Sequence, residues 1–307
     1  MIRPGLAGVL PLLACPSCGG VLTEIGERGA GDVVGCAAGH RFDVARQGYL
    51  SLLGPRSRTD TGDTADMVAA REQLLGAGHY RQIARAVADR VVAGPVIEVG
   101  AGTGYYLATG VDRLTSTNSP SAPSAPATVG LALDSSRYAA RRAAALHPRV
   151  GSVVADAWSG LPVLTGVAGT VLSVFAPRDA DEITRVLAPG GRLVVVTPQP
   201  AHLAEIRGPL RMLTVDEGKP ERLEAAFAGR LRVRERADLR VELQLSRSDV
   251  GALVRMGPTA RHIEAADLAA KLAELGDVTD VTMAVTINVL ERSPSPGGPC
   301  RSWWVHR

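Results

Sequence analysis

Two short turns near the N-terminus, Cys15-Pro-Ser-Cys18 and Cys36-Ala-Ala-Gly-His40, constrain the fold more than any other feature of the chain. Zinc in a structural site is tetrahedral and prefers thiolate and imidazole ligands. A C-x-x-C turn aims two sulfurs at one ion, and a C-x-x-x-H turn adds a third sulfur and a ring nitrogen. With an ion holding both turns, the residues between them must run out and back. Gly20-Val-Leu-Thr-Glu24 and Asp32-Val-Val-Gly35 are accordingly predicted as two short strands of a hairpin in a zinc-ribbon-like unit. Gly19, Gly20 and Gly39 stand where such turns call for positive φ. Three of the four cysteines lie in this segment and only Cys300 is elsewhere, which argues against scattered thiols.

The competing readings are a disulfide and a redox pair. Met1 to Leu13 is too short an apolar stretch for a secretory leader, and Pro4, Gly5, Gly8 and Pro11 break it. A cytoplasmic location is therefore expected, where reducing conditions disfavour a disulfide. A redox C-x-x-C sits between a strand and a helix, a context that Cys15 and Cys18 lack. With no open position, Cys15, Cys18, Cys36 and His40 should hold one structural zinc rather than a catalytic one.

The second informative segment is Val96-Ile-Glu-Val-Gly-Ala-Gly-Thr-Gly104, an apolar strand running into a glycine turn ahead of a helical stretch. Glycines there let a backbone approach a ligand closely. The spacing of Gly100, Gly102 and Gly104 is G-x-G-x-G, not the G-x-G-x-x-G of dinucleotide enzymes. A pyrophosphate needs a helix N-terminus aimed at it, whereas S-adenosylmethionine has no phosphate. Glu98 is placed to order the turn by accepting hydrogen bonds, as in methyltransferase loops. Asp134 ends the next strand, where a carboxylate can accept from ribose hydroxyls. Asp156 ends the one after, within reach of an adenine amino group. Each aspartate alone could equally be a strand-end or cap residue; in this order they point to a methyltransferase.

The remaining pattern supports that architecture. Apolar runs at Val96–Val99, Val129–Leu133, Val150–Val154, Thr170–Phe175 and Arg192–Thr197 alternate with helical stretches, which predicts βαβ units and a parallel sheet. We expect an α/β, Rossmann-like class I S-adenosylmethionine-dependent methyltransferase fold with a seven-stranded sheet and a small zinc-ribbon-like domain. Residues 1–50 form the zinc module and 51–92 a helical linker region contributing to the cofactor site. The methyltransferase domain spans 93–292, with a Ser/Pro/Ala-rich insertion at 115–128, and 293–307 form a tail ending in Trp303-Trp304. Asp63-Thr-Ala-Asp66 can cap a helix starting at Met67, and a second helix is expected from Tyr80 to Val92. At 307 residues with a 46% hydrophobic fraction the chain can fill a sizeable core, and no apolar run spans a bilayer. The net charge of +3 is modest, but Arg41, Arg46, Arg56 and Arg58 face only Asp43 between positions 41 and 58. Directly after a zinc knuckle, that segment can make phosphate contacts or be a solvated loop.

On these residues the chain resembles the RlmA/TlrB family of 23S ribosomal RNA (guanine-N1)-methyltransferases, which includes the macrolide-resistance enzymes of tylosin and mycinamicin producers. The similarity runs from the zinc ligands through Gly39-His-Arg-Phe-Asp-Val-Ala-Arg-Gln-Gly-Tyr-Leu-Ser-Leu-Leu53, Arg56-Ser-Arg-Thr-Asp-Thr-Gly-Asp63 and Ala77-Gly-His-Tyr80. It continues in Gly102-Thr-Gly-Tyr-Tyr106, Phe175-Ala-Pro177 and Thr197-Pro-Gln-Pro-Ala-His-Leu203. It covers most of positions 12 to 290; the insertion and the tail depart from it. The resemblance implies methyl transfer from S-adenosylmethionine to N1 of a guanine in a loop of 23S ribosomal RNA, with resistance to tylosin- or mycinamicin-type macrolides. It implies donor contacts from Tyr80, Gly102, Thr103 and His202. Without it, Tyr80 reads as a core tyrosine and His202 as a solvent-facing cap.

Guanine N1 is protonated at neutral pH and must lose that proton, so a base or a group stabilising negative charge is expected. Phe175-Ala-Pro177-Arg178 is positioned by its place after the fourth strand to line an acceptor pocket. Arg178 and Asp179 are the candidates, against a plain structural turn with a surface ion pair. Two other functions fit parts of the sequence: a small-molecule methyltransferase, which leaves the zinc module idle, and a non-catalytic zinc-dependent RNA-binding protein, against which the intact loop and both aspartates argue. A homodimer is left open.

Overall fold

The computed structural model describes residues 2–25, 32–54, 57, 62–117, 128–213 and 219–292. Arg56, Arg58, the greater part of the insertion, Cys300 and the Trp303-Trp304 tail lie outside the described residues. Helix α1 (Pro4–Val9) begins with proline at its first position and runs into a single 3₁₀ turn. Strands β1 (Thr23–Ile25), β2 (Val33–Gly35) and β3 (Arg41–Asp43) make a three-stranded antiparallel sheet. The predicted hairpin thus gains a third strand from the basic segment, with Val34 opposite Phe42.

The chain then enters the large sheet. After β4 (Leu50–Ser51) come α2 (Ala65–Gly76), α3 (Arg81–Ala88), β5 (Val96–Val99), α4 (Tyr105–Thr117), β6 (Gly130–Asp134), α5 (Arg137–Leu146) and β7 (Val150–Val154). These are followed by β8 (Ala168–Val174), α6 (Ala180–Val186), β9 (Leu187–Pro198), α7 (Ala204–Arg207), α8 (Lys219–Phe227), β10 (Leu231–Ser246), α9 (Arg247–Arg255), α10 (Ala265–Ala273) and β11 (Val278–Arg292). The strand order is β10-β11-β9-β8-β5-β6-β7-β4. Pairing is parallel from β9 to β4 and antiparallel at β11 and β10. The expectation of seven strands is corrected to eight. The chain leaving the small sheet lies along the edge of β7, placing Leu50 opposite Val153 with its side chain fully buried.

Period-two alternation explains the layers. Val96, Leu172, Val174, Val194 and Val196 face one core, under α2, α3, α4 and α9. Ile97, Val99, Leu131, Val171, Leu193 and Val195 face the other, which also contains Leu6, Val9, Leu13, Leu22 and Val34. The zinc-bearing segment therefore shares its apolar interior with the large sheet. Residues before Cys15 pack with that sheet rather than with the knuckles: Gly5 sits where a Cβ would lie 2.2 Å from the Val150 carbonyl oxygen, so only glycine lets α1 touch β7. The Ala14 amide donates to the Pro162 carbonyl at 3.0 Å and the Leu164 amide to the Leu12 carbonyl at 2.8 Å. A module closed at residues 1–50 is in this respect a correction: its two ends, α1 and β4, belong structurally to the large sheet. Within the predicted insertion, α4 extends through Thr117. Among the described residues no helix is long and apolar enough to cross a membrane.

Candidate active site and zinc centre

The two knuckles close on themselves through backbone bonds. Gly19 donates to the Cys15 carbonyl at 2.7 Å, and Gly39 donates to that of Cys36 at 2.9 Å. The ligand atoms of Cys15, Cys18, Cys36 and His40 all lie within 4.8 Å of one another. Cys18 Sγ is 3.5 Å from Cys36 Sγ, and His40 Nδ1 is 3.3 Å from Cys36 Sγ and 3.6 Å from Cys15 Sγ. A tetrahedron with bonds of about 2.3 Å to sulfur and about 2.0 Å to nitrogen has edges of roughly 3.5–3.8 Å. The donor set and its spacing fit zinc, with no position left for a substrate.

The reversal of strand order between β6 and β8 leaves a crevice beyond the carboxyl end of β5, where open α/β sheets place their ligands. The glycine turn fills its floor. Gly100 and Ala101 donate to the Leu133 carbonyl at 2.9 and 3.0 Å, and the Gly102 amide donates to Asp134 Oδ2 at 2.8 Å. Asp134 Oδ1 accepts from the Ser136 amide at 2.8 Å. Burial raises the Asp134 pKa against the pull of these two amides. A Cβ on Gly100 would come 2.6 Å from Ala176 Cβ, and Gly102 adopts φ +54° beside the Arg71 side chain. Glycine is thus required at both positions, at the first by the close approach of Ala176 and at the second by its positive φ.

Two chambers with shared walls result. The larger, about 220 Å³, is lined by Asp63, Arg71, Gly100, Gly102, Asp134 and Asp156, among others. The smaller, about 30 Å³, is lined by Arg71, Tyr80, Gly100, Thr103, Tyr106 and Phe175, among others. Asp156 accepts from the Trp158 amide at 3.0 Å and the Ser159 hydroxyl at 2.7 Å, while its carboxylate still faces the larger chamber. Tyr80 is fully buried, its hydroxyl pKa raised by burial, and it meets Phe175 edge-on at 6.3 Å. Phe175 holds φ +54°, a conformation unusual for a bulky residue, and stacks on His202 at 5.9 Å.

Several predicted site residues sit differently. Glu98 is buried behind the loop and lines neither chamber; its Oε2 accepts from the Leu107 amide at 3.1 Å, holding the first turn of α4. Burial pushes its carboxyl up to about 8, against that hydrogen bond. Gly104 packs toward Ala143, under the start of α4. His202 reaches the site through Phe175, its Nδ1 accepting from the Ala284 amide at 3.2 Å. Asp179 is corrected as a candidate base: Oδ1 caps α6, accepting from the Asp181 and Glu182 amides at 2.9 and 3.0 Å. Arg178 donates to the Ala176 carbonyl at 3.3 Å, and its pKa is lowered by burial. Arg41 and Arg46 are exposed on the small sheet and the turn after it.

The sequence reading missed Asp63 and Arg71, whose Nη2 donates to Asp63 Oδ2 at 2.6 Å and to the Met256 carbonyl at 3.0 Å. Asp63 falls in the segment predicted to cap α2, and Thr64 makes that cap. It also missed a larger cleft of about 890 Å³ lined by Cys15, Gly19, Gly54 and Ser57 on one side and Trp158, Gly160 and Pro162 on the other. Ala155, Asp156, Trp158 and Leu161 wall both this cleft and the larger chamber.

Comparison with known proteins agrees with this geometry. Residues 13–57 match the RlmA N-terminal zinc-ribbon family model. The chain is 40% identical to the 23S rRNA (guanine(748)-N(1))-methyltransferase of Streptomyces fradiae, over 93% of this chain and 99% of that protein. It is 41% identical to a Micromonospora griseorubida protein assigned the 23S rRNA (guanine-N(1)-)-methyltransferase activity, over 91% and 97% respectively. The crystal structure of the [4+2]-cyclase SpnF shares the fold, with a TM-score of 0.50, 19% identity and coverage of 78% of this chain and 96% of that one. The chain belongs to the zinc-ribbon-bearing family of S-adenosylmethionine-dependent 23S rRNA (guanine-N1)-methyltransferases.

Proposed function

We propose that this chain transfers a methyl group from S-adenosylmethionine to N1 of a guanine in a loop of 23S ribosomal RNA, and thereby confers resistance to tylosin- or mycinamicin-type macrolides. The observation that carries the reading is the shared wall: Asp156 and Trp158 line both the chamber beside the glycine turn and a cleft that is also lined by Cys15 and Gly19 of the zinc knuckle. A donor in the first and a nucleotide in the second would meet there.

The chambers suit the donor. Asp134 keeps lone pairs on both oxygens for ribose hydroxyls, and Asp156 offers an acceptor for an adenine amino group. Tyr80, Gly102 and Thr103 surround the end where an amino-acid tail would lie, and His202 fixes Phe175 over it. When bound, S-adenosylmethionine supplies a methyl group already activated on a sulfonium. The chain's own residues have to align the acceptor with it and exclude water. N1 lies on the Watson–Crick edge, so the guanine must be unpaired or turned out of its stack. Trp158 is 60% exposed at the junction, an indole face on which such a base can stack. Arg178, whose guanidinium lies beside the Ala176 carbonyl, can stabilise negative charge at O6 as N1 loses its proton. The zinc knuckle and Arg41 and Arg46 would position the RNA through phosphate contacts.

The test is methyl transfer in vitro to a 23S ribosomal RNA fragment and to small-molecule acceptors, read by nucleoside mass spectrometry. N1-methylguanosine in the RNA, with no transfer to the small acceptors, is expected. Transfer only to the small acceptors would overturn the substrate reading.

A further inference from the structure

The groups lining the two chambers are unevenly charged. Asp63, Asp134 and Asp156 are acids, and Arg71 is the one cation among the described lining residues. It is also one of few residues that wall both chambers, together with Gly100, Val174 and Phe175. Its guanidinium is only partly used. Nη2 serves Asp63 and the Met256 carbonyl, while Nε is buried with no hydrogen-bond partner. A buried donor of a charged group left without an acceptor is costly. Its Cδ and Nε lie 3.3 and 3.5 Å from where a Cβ on Gly102 would stand, so the guanidinium packs directly against the glycine turn.

Resting on the donor reading above, we propose that Arg71 anchors the α-carboxylate of S-adenosylmethionine, with Asp63 as its positioning residue. The donor's sulfonium and ammonium are positive and suit the acidic lining; its carboxylate is the one anionic group, and Arg71 is the one cation offered. The Asp63 pair and the Met256 carbonyl fix the guanidinium on its Nη2 side, so little rotamer freedom remains to be lost when a carboxylate docks. Arg71 also ties α2 to the Asp63 segment, whose carbonyl accepts from Ser136 Oγ at 2.6 Å beside Asp134. Carboxylate recognition and closure of the ribose end are thereby linked through one residue.

Calorimetric titration of the full chain with S-adenosylmethionine and with its decarboxylated analogue tests this without reading activity. The wild type should bind the decarboxylated donor at least about tenfold more weakly, the loss of one charge-assisted bond. Arg71→Met should weaken S-adenosylmethionine by a similar factor and leave the analogue nearly unchanged, so that discrimination disappears. Arg71→Lys should restore part of it. Equal affinity of the wild type for both ligands overturns the proposal even if Arg71→Met fails to fold. So does an equal loss for both ligands in a folded Arg71→Met, which would assign Arg71 to packing alone. No binding of S-adenosylmethionine by the wild type would overturn the donor reading together with this one.

Discussion

Asp134 shows how one residue carries two duties at the site. Its oxygens hold the Gly102 and Ser136 amides, so the carboxylate that would take the ribose also sets the glycine turn. Asp134→Ala should therefore cost about 1–3 kcal/mol of stability through two orphaned amides, besides weakening the donor. Asp134→Asn, able to accept but uncharged, should retain most of the stability and lose mainly affinity; equal donor affinity in calorimetry for both variants and the wild type would remove Asp134 from the site. Gly102→Val places a β-branched residue at φ +54°, a strain of about 1–3 kcal/mol, and sets its Cβ against Arg71. It should lower both melting temperature and donor affinity. At this scale the zinc set was legible because ligand chemistry fixes spacing, and Asp134 and Asp156 because strand ends fix where they point. Arg71 was not, since it joins the chambers through a loop and a carbonyl at Met256, far away in sequence.

Among the elements, α4 depends on a group outside itself. Glu98 lies under its first turn, and its raised pKa has a defined sign. An acid whose folded pKa lies near 8, above its ordinary 4.5, binds more protons folded than unfolded, so its contribution falls as pH rises from about 4.5 to about 8. Glu98→Gln, which keeps an acceptor for Leu107, should flatten that decline in a series of thermal melts; an unchanged pH profile would show that Glu98 stays ionised. The small sheet gives a second test. Because α1 packs on β7 and β4 pairs with it, zinc chelation or Cys36→Ser should expose residues 14–25 and 32–45 to hydrogen exchange while residues 2–13 stay protected. Loss of protection across 2–51 as one unit would instead mark a self-contained module. The inner strands were readable from apolar alternation. β10 was not: it is an edge strand whose Arg232, Arg234, Glu235, Arg236, Asp238 and Arg240 guard against further pairing, and such a run does not look like core. β4 is two residues long, too short to leave a pattern.

In the molecule as a whole, the cleft between knuckle and chamber is made by two segments far apart in sequence, held in register by one apolar core shared between the zinc sheet and β5–β8 and by backbone bonds such as Ala14 to Pro162. Arg41, in β3 of the zinc sheet, and Arg46, in the turn after it, are exposed and line neither donor chamber. If they neutralise phosphates, each released counterion steepens the fall of RNA affinity with salt. Arg41→Ala with Arg46→Ala should then weaken binding of a 23S ribosomal RNA fragment, reduce the log–log salt slope by up to about two units, and leave donor affinity at its wild-type value. Trp158→Ala should behave differently. Stacking is worth about 1–3 kcal/mol per base and is insensitive to salt, so RNA affinity should drop with the slope intact. In a macrolide-sensitive host the same order should hold in N1-methylguanosine content and in drug tolerance, since a methyl on N1 removes a donor and adds bulk at a base edge. A host that gains N1-methylguanosine without gaining tolerance would separate the methyl transfer from the protective role. A salt slope unmoved by the arginine pair would place the RNA on some other face of the chain.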